Sequence, residues 1–197
     1  MTLGQRFARV VTQLVVRAPF LWRMFRGAMT RRFDRLAPEW DGTRVSRERL
    51  APMIAALGEA GAPARALDVG TGSGAVARLL AELWPEAEVT GVDVSRGMIE
   101  EARRLGGERY DVGDAAALPY GDDAFDLVTL NNMIPFFDEL ARVTAPGGHI
   151  AIAYSMGPRT PIWVPLERVR AELERRGFRH VRDFAAGTGV ALLARRP

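Results

Sequence analysis

The segment Ala66-Leu67-Asp68-Val69-Gly70-Thr71-Gly72-Ser73-Gly74 joins an apolar run to a helical pattern. Arg65 to Val69 reads as a buried strand, and Gly74 to Trp84 as a helix stopped at Pro85. The glycines between them let the chain turn tightly and let a ligand reach backbone amides with no Cβ in the way. The helix that follows offers free N–H groups and the positive end of its dipole, which suits a carboxylate or a phosphate. Gly70, Gly72 and Ala75 also satisfy the G-x-G-x-x-A form of a dinucleotide fingerprint, so the loop alone does not name its ligand.

Outward from this loop the pattern alternates strand and helix, which argues for a parallel sheet covered on both faces. Strands are expected at Glu88–Val92, Arg109–Val112, Phe125–Leu130 and His149–Tyr154. Helices are expected at Ser95–Leu105, Phe136–Val143 and Pro165–Arg176, with a tight turn at Pro146-Gly147-Gly148. Two final strands, Arg179–Ala185 and Val190–Ala194, are close enough for an antiparallel hairpin. The fold class is α/β: a Rossmann-like, seven-stranded, mostly parallel sheet with helices on both faces and a C-terminal antiparallel hairpin, preceded by N-terminal helices. Residues 1–60 read as a helical arm and cap, and residues 61–197 as the ligand-binding domain.

The arm reads as two amphipathic helices broken at Pro19. Phe7, Val10, Val11, Leu14 and Val15 form the stripe of the first, opposite Arg6, Arg9, Gln13 and Arg17; Leu21, Met24, Phe25 and Ala28 form that of the second. Residues 37–42 read as a turn-rich joint, after which a helix from Ser46 turns Leu50, Met53, Ile54 and Leu57 inward.

Among the 197 residues, 48% are apolar, enough for a real core. The absence of cysteine excludes disulfides and thiolate chemistry, and two histidines, His149 and His180, leave little for a histidine-rich metal centre. All 27 basic residues are arginine. Eight of them lie in residues 1–36 against a single acid, Asp34, so a basic arm precedes a mildly acidic body. Such an arm suits an anionic partner, a membrane surface or nucleic acid, or else a solvated face; it could also cover a pocket or pair with a second subunit. With no convincing signal peptide and no run of 18 uncharged apolar residues, a cytoplasmic, possibly membrane-peripheral protein is expected.

Three acids narrow the ligand. Asp93, 19 residues after Gly74, ends the second strand where a carboxylate accepts both hydroxyls of a ribose. Asp68 puts an anion where a pyrophosphate would sit, repelling phosphates and attracting an ammonium. Asp114, 21 residues after Asp93, follows the third strand, where it could accept from an exocyclic amine. An amino-acid head, a ribose and an adenine together make S-adenosylmethionine.

At these residues the chain resembles the class I S-adenosylmethionine-dependent methyltransferases over residues 64–196. The matching segments are 66–74, Val92-Asp93-Val94-Ser95 with Met98, Gly113-Asp114-Ala115, Leu118-Pro119-Tyr120, Phe125-Asp126-Leu127-Val128 and Pro146-Gly147-Gly148. The resemblance implies that Asp68, Gly70, Thr71, Gly72 and Gly74 hold the methionine end and Asp93 the ribose. It implies that Val94 and Met98 pack beside the adenine, that Asp114 and the Ala115 amide read its edge, and that Asn131 lies beside the transferred methyl. Tyr154, Met133 and Trp40 are candidates for the substrate side. Asp126 and His149 read as structural.

The acid–histidine pair common after the fourth strand in this family is replaced here by Asn131-Asn132-Met133-Ile134-Pro135. Residues 155–163 are too few to roof the pocket, so the roof must come from the N-terminal helices, another subunit or the substrate. No base stands out, which fits catalysis by alignment of an easily activated acceptor. Phe33-Asp34 through Trp40-Asp41 is loosely similar to the stretch ahead of the domain in quinone-biosynthesis methyltransferases, with Trp40 in place of tyrosine. A small apolar or aromatic acceptor is therefore expected. The competing readings are an RNA methyltransferase with a phosphate-binding arm and a non-catalytic S-adenosylmethionine-binding protein.

Overall fold

The computed structural model describes residues 2–197. Strands β1 (Arg65–Val69), β2 (Glu88–Asp93), β3 (Arg109–Val112), β4 (Phe125–Asn131), β5 (Thr144–Tyr154), β6 (Arg179–Ala186) and β7 (Gly189–Arg195) form one sheet in the order β3-β2-β1-β4-β5-β7-β6. The first five are parallel, and β7 runs antiparallel between β5 and β6. The expected seven-stranded sheet and terminal hairpin are both present.

Helices α1 (Leu3–Arg17), α2 (Trp22–Arg44), α3 (Arg47–Leu57), α4 (Ala75–Leu83), α5 (Arg96–Leu105), α6 (Phe137–Val143) and α7 (Leu166–Arg175) cover the sheet. On one face Met53 and Leu57 of α3, Val76 and Leu80 of α4, and Ile99 of α5 pack over Ala66, Val89 and Leu127. On the other, Val11 and Val15 of α1, Trp22 and Met29 of α2, Leu140 of α6 and Leu173 of α7 share a core with Val69, Val128 and Ile150. Helix α2 begins on the second face and ends bonded to α4 and α5, so it crosses the carboxyl ends of the strands, where ligands bind in this class of sheet.

That crossing corrects the reading of residues 37–42 as a joint. Helix α2 runs unbroken through Pro38, although an internal proline costs a helix on the order of 3 kcal/mol. Anchors on both sides of Pro38 hold it. Asp34 Oδ1 accepts from Ser95 Oγ at 2.6 Å and from the Gly97 amide at 3.1 Å. Asp41 Oδ1 accepts from Ser73 Oγ at 2.9 Å and from Arg78 Nη2 at 2.8 Å. Gly97 makes the first contact possible, because a Cβ there would lie 3.2 Å from the Asp34 Cα.

The stripes of the arm also differ from expectation. In α1 the buried residues are Ala8, Val11, Thr12, Val15 and Val16, while Phe7, Val10 and Leu14 face solvent. The side chains of Arg9 and Gln13 turn toward the domain instead: Arg9 donates to the carbonyls of Pro158, Thr160 and Pro161, and Gln13 to that of Trp163. In α2 the inner row is Trp22, Phe25, Met29, Phe33 and Ala37, with Met24 and Ala28 outside. In α3, Pro52, Met53, Ala56 and Leu57 are buried, whereas Leu50 and Ile54 are only partly so. Polar anchors to loop carbonyls, invisible to a count of apolar spacing, set these rotations.

Strand β5 starts at Thr144 rather than His149. Thr144 pairs with Phe125 and His149 with Leu127, so the Pro-Gly-Gly turn is a bulge inside the strand, with Gly147 at φ +80°. No helix among the described residues is long and apolar enough to cross a membrane.

Candidate active site

The glycine loop wraps the carboxyl end of β1. The Gly70 and Thr71 amides bond to the Val92 carbonyl, tying the loop to β2, and Gly70, Gly72 and Gly74 have φ of +70°, +56° and +83°. At Gly70 the space is also closed, since a Cβ would lie 2.6 Å from Met133 Cγ. Gly74 caps α4 but does not line the cavity; a Cβ there would strike the Tyr110 hydroxyl at 2.5 Å.

A cavity of about 390 Å³ lies above this loop. Its floor includes Asp68, Gly70, Thr71, Gly72, Asp93, Val94, Met98, Ala115, Asn131 and Met133, and its roof includes Trp22, Met29, Phe33 and Trp40 of α2. The roof is thus the N-terminal helices, one of the three options the sequence leaves open. Trp40 sits close to the loop: its Nε1 lies 3.5 Å from where a Gly72 Cβ would be.

Among the described residues, three buried polar atoms on the cavity wall have no hydrogen-bond partner: Asp68 Oδ2, Thr71 Oγ1 and Asn131 Oδ1. Buried polar atoms are nearly always paired, so Asp68 Oδ2 and Asn131 Oδ1 can each take a ligand group or a water, and Thr71 Oγ1 lies within reach of Asp68. Asp68 is 1% exposed. Its other oxygen accepts from Thr129 Oγ1 at 2.9 Å. Burial pushes its carboxyl up to about 7, with the nearby Asp93 charge adding to the rise. Such a group calls for a cationic partner.

Asp93, at the end of β2, holds the two neighbouring loops together. Its Oδ2 accepts from the Gly72 amide at 3.0 Å and its Oδ1 from the Ser95 amide at 2.8 Å. Burial raises its pKa above the ordinary value while these amides oppose the rise. Each oxygen keeps a lone pair, so a pair of vicinal hydroxyls can still be accepted.

Two sequence-chosen residues sit elsewhere than expected. Asp114 does not line the cavity, although Gly113 and Ala115 do. Its Oδ1 accepts from Trp22 Nε1 at 2.8 Å and from the Ala116 amide, and its Oδ2 from Arg26 at 3.0 Å. Its carboxylate therefore ties the roof helix to the turn after β3. Tyr154 is fully buried, outside the cavity wall, with its ring edge-on to Trp163 at 4.9 Å. Its position at the carboxyl end of β5 suggested a ligand contact, but the segment after β5 folds back over it. Asn132, at φ +55°, exchanges hydrogen bonds with Ser155 and fixes this segment. Asp126 accepts from the Ala64 and Arg65 amides, the structural role expected of it. Arg32 and Arg44 of α2 also line the cavity, and neither stood out in the sequence because their neighbours on the helix are apolar on more than one face.

A family model described as a methyltransferase domain matches residues 67–152. The chain is 34% identical over 187 residues to a malonyl-[acyl-carrier protein] O-methyltransferase from Geobacter sulfurreducens, covering 77% of this chain and 70% of that protein. The chain belongs to the class I S-adenosylmethionine-dependent methyltransferases. It is also 37% identical over 123 residues to a ubiquinone/menaquinone biosynthesis C-methyltransferase from Desulfotalea psychrophila, covering 57% of this chain and 50% of that relative. A crystal structure of an S-adenosylmethionine-dependent methyltransferase from Aquifex aeolicus superimposes with a TM-score of 0.66 at 23% identity, over 85% of this chain and 98% of that one. The cofactor of this methyltransferase is S-adenosylmethionine, and the chemistry of the cavity floor fits it: Asp68 Oδ2 offers an anion for an ammonium, and the spare lone pairs of Asp93 offer acceptors for hydroxyls.

Proposed function

We propose that the methyltransferase moves the methyl group of S-adenosylmethionine onto a small acceptor with an apolar or aromatic body. The observation that carries this reading is the pairing of unsatisfied polar atoms on the cavity floor with an apolar roof made by the chain itself. When bound, the cofactor supplies an electrophilic methyl on a sulfonium. The protein's part is to bind, align and keep water out. In this reading Asp68 Oδ2 takes the ammonium and Asp93 the ribose hydroxyls. Val94 and Met98 flank the adenine, the Ala115 amide meets its edge, and Asn131 Oδ1 lies beside the reacting centre. Met133 and Trp40 shape the acceptor's side of the cavity. Alignment of nucleophile and methyl at roughly 3 Å supplies several kcal/mol without a proton transfer.

The test is incubation with methyl-labelled cofactor and a panel of small acids, phenols and quinols. Transfer to a small acceptor above the no-acceptor background is expected, and label release from none of them would count against the reading. The RNA alternative is weakened by the arm's own bonds, because Arg9 is committed to loop carbonyls, Arg26 is paired with Asp114 and Arg32 lines the cavity. The non-catalytic alternative is disfavoured by the loop and both acids being intact.

The outer face of the arm supports peripheral contact with a membrane. Leu3, Phe7, Val10, Leu14, Phe20 and Met24 are exposed, Phe20 and Met24 at 73% and 74%, and Arg6, Arg17 and Arg23 are exposed among them. Exposed apolar groups bordered by arginines match the interface of an anionic bilayer. Co-sedimentation with phosphatidylglycerol vesicles is expected, and much less with phosphatidylcholine. The double substitution Phe20→Ser and Met24→Ser should reduce the bound fraction about tenfold, given roughly 1.4 kcal/mol per decade and the area lost. Equal binding to both vesicle types would remove the proposal.

A further inference from the structure

Asp93 accepts from two backbone amides, Gly72 at 3.0 Å and Ser95 at 2.8 Å. Each of these donors is tied in turn to helix α2. The buried hydroxyl of Ser95 donates to Asp34 Oδ1 at 2.6 Å, and the Gly97 amide donates to the same oxygen. Ser73, buried and next to Gly72, donates its hydroxyl to Asp41 Oδ1 at 2.9 Å. Arg78 closes a ring around Ser73, donating to its carbonyl at 2.6 Å and to Asp41 Oδ1 at 2.8 Å. Asp34 and Asp41 are seven residues apart, so they project from one face of α2 and are separated by about 10 Å along its axis. Asp34 reaches the loop that follows Asp93, and Asp41 reaches the glycine loop on the other side of it.

A carboxylate that receives a pair of hydroxyls must be held in one orientation, with its free lone pairs kept toward the ligand. The Gly72 and Ser95 amides hold Asp93 in this way, and they can do so only while the two loops keep a fixed separation. Asp34 and Asp41, on one helix, set that separation. Pro38 stands between them and has no N–H, so the Asp34 carbonyl loses its helical donor there. The loops therefore hold the two halves of α2 in line, just as α2 holds the loops. Neither acid lines the cavity, so any effect on the cofactor must pass through these bonds.

We propose that Asp34 and Asp41 are positioning residues for the cofactor: through Ser95 and Ser73 they fix the two amides that orient Asp93. Helix α2 is then part of the ribose-binding machinery as well as the roof. This rests on the reading above in which Asp93 accepts the ribose hydroxyls, and extends it to residues outside the cavity wall.

The test measures, on the full chain, calorimetric affinities for S-adenosylhomocysteine and for its 2′,3′-dideoxy analogue, which lacks the ribose hydroxyls. Wild type should prefer the hydroxylated ligand by about 30-fold. Asp34→Ala and Asp41→Ala should each weaken S-adenosylhomocysteine binding about tenfold and change that of the analogue by less than about twofold, because only the hydroxyls use an oriented Asp93. Asp34→Asn and Asp41→Asn keep an acceptor oxygen for the serine hydroxyl and should recover most of the loss. Ser73→Ala and Ser95→Ala remove the same bonds from the loop side and should reproduce the pattern, which decides the matter where an acid variant does not melt cooperatively. Equal losses for the two ligands would show that the acids only dock α2, and would overturn the proposal. So would no loss for either ligand, or no recovery in the asparagine variants, while the wild-type preference for the hydroxyls left Asp93 in its role. A wild type that binds both ligands alike would overturn the proposal and the ribose reading together.

Discussion

Asp93→Ala is expected to weaken S-adenosylmethionine binding by about 2 kcal/mol or more, roughly 30-fold, the usual loss when charged hydrogen bonds to a buried acceptor are removed. Two effects combine. The carboxylate ceases to accept from the ligand's hydroxyls, and the Gly72 and Ser95 amides, now bonded at 3.0 and 2.8 Å, lose their acceptor. The loop between β1 and α4 then keeps the Gly70 and Thr71 amides on the Val92 carbonyl and the Ser73 hydroxyl on Asp41. Asp93→Asn separates the effects, because it keeps one acceptor oxygen for the backbone but loses the charge. Titration calorimetry of wild type and both variants would check this. Unchanged affinity in Asp93→Ala would remove Asp93 from the site.

Asp68 couples cofactor binding to pH. Burial holds its carboxyl near 7 in the empty protein, well above the ordinary value near 4. The neutral form is therefore favoured by folding. Both folded and unfolded chains are protonated below about pH 4, so no penalty exists there. The penalty grows as pH rises toward 7 and then levels off, at an order of magnitude of 4 kcal/mol. The cofactor's ammonium requires the ionised form. Binding should therefore be strongest above pH 7 and weaken about tenfold for each unit below it, so that pH 5.5 costs about 30-fold relative to pH 8. Most of one proton should be released on binding near pH 6.5, seen as a buffer-dependent enthalpy.

Asp68→Asn gives the complementary result. The variant keeps an acceptor for Thr129 without a buried charge. Its empty form should melt several degrees above wild type at pH 8, by roughly 2–4 °C per kcal/mol for a chain of this size, with the difference vanishing near pH 4. Its cofactor affinity should fall and lose the pH dependence. A variant no more stable at pH 8, and binding as tightly as wild type, would contradict the assignment.

The sheet and its loop were legible because the strands are bounded by turn residues and two of the helices by serine caps. Ser46 and Ser95 cap α3 and α5 as expected. The arm was not legible, for a physical reason. Its helices carry apolar residues on more than one face, so apolar spacing alone does not select the inner row. Arg9, Gln13 and Trp22 make that selection through bonds to loop carbonyls and to Asp114, which lie roughly 90 to 150 residues away in sequence. Pro38 misled for a similar cause: helix geometry survives there through the long-range anchors of Asp34 and Asp41. In the site, Asp68 and Asp93 were readable because short spacing to the glycine loop fixes them. Asp114 was readable as a position, but its bond from Trp22, on a helix about 90 residues earlier, was not.

The most direct test of the central claim is titration of S-adenosylmethionine into the wild-type chain at pH 8. A saturable single site of micromolar affinity, or on the order of −8 kcal/mol, is the result this site requires. No saturable binding at millimolar cofactor would contradict it, leaving the unpaired oxygens of Asp68 and Asn131 without the ligand they are assigned.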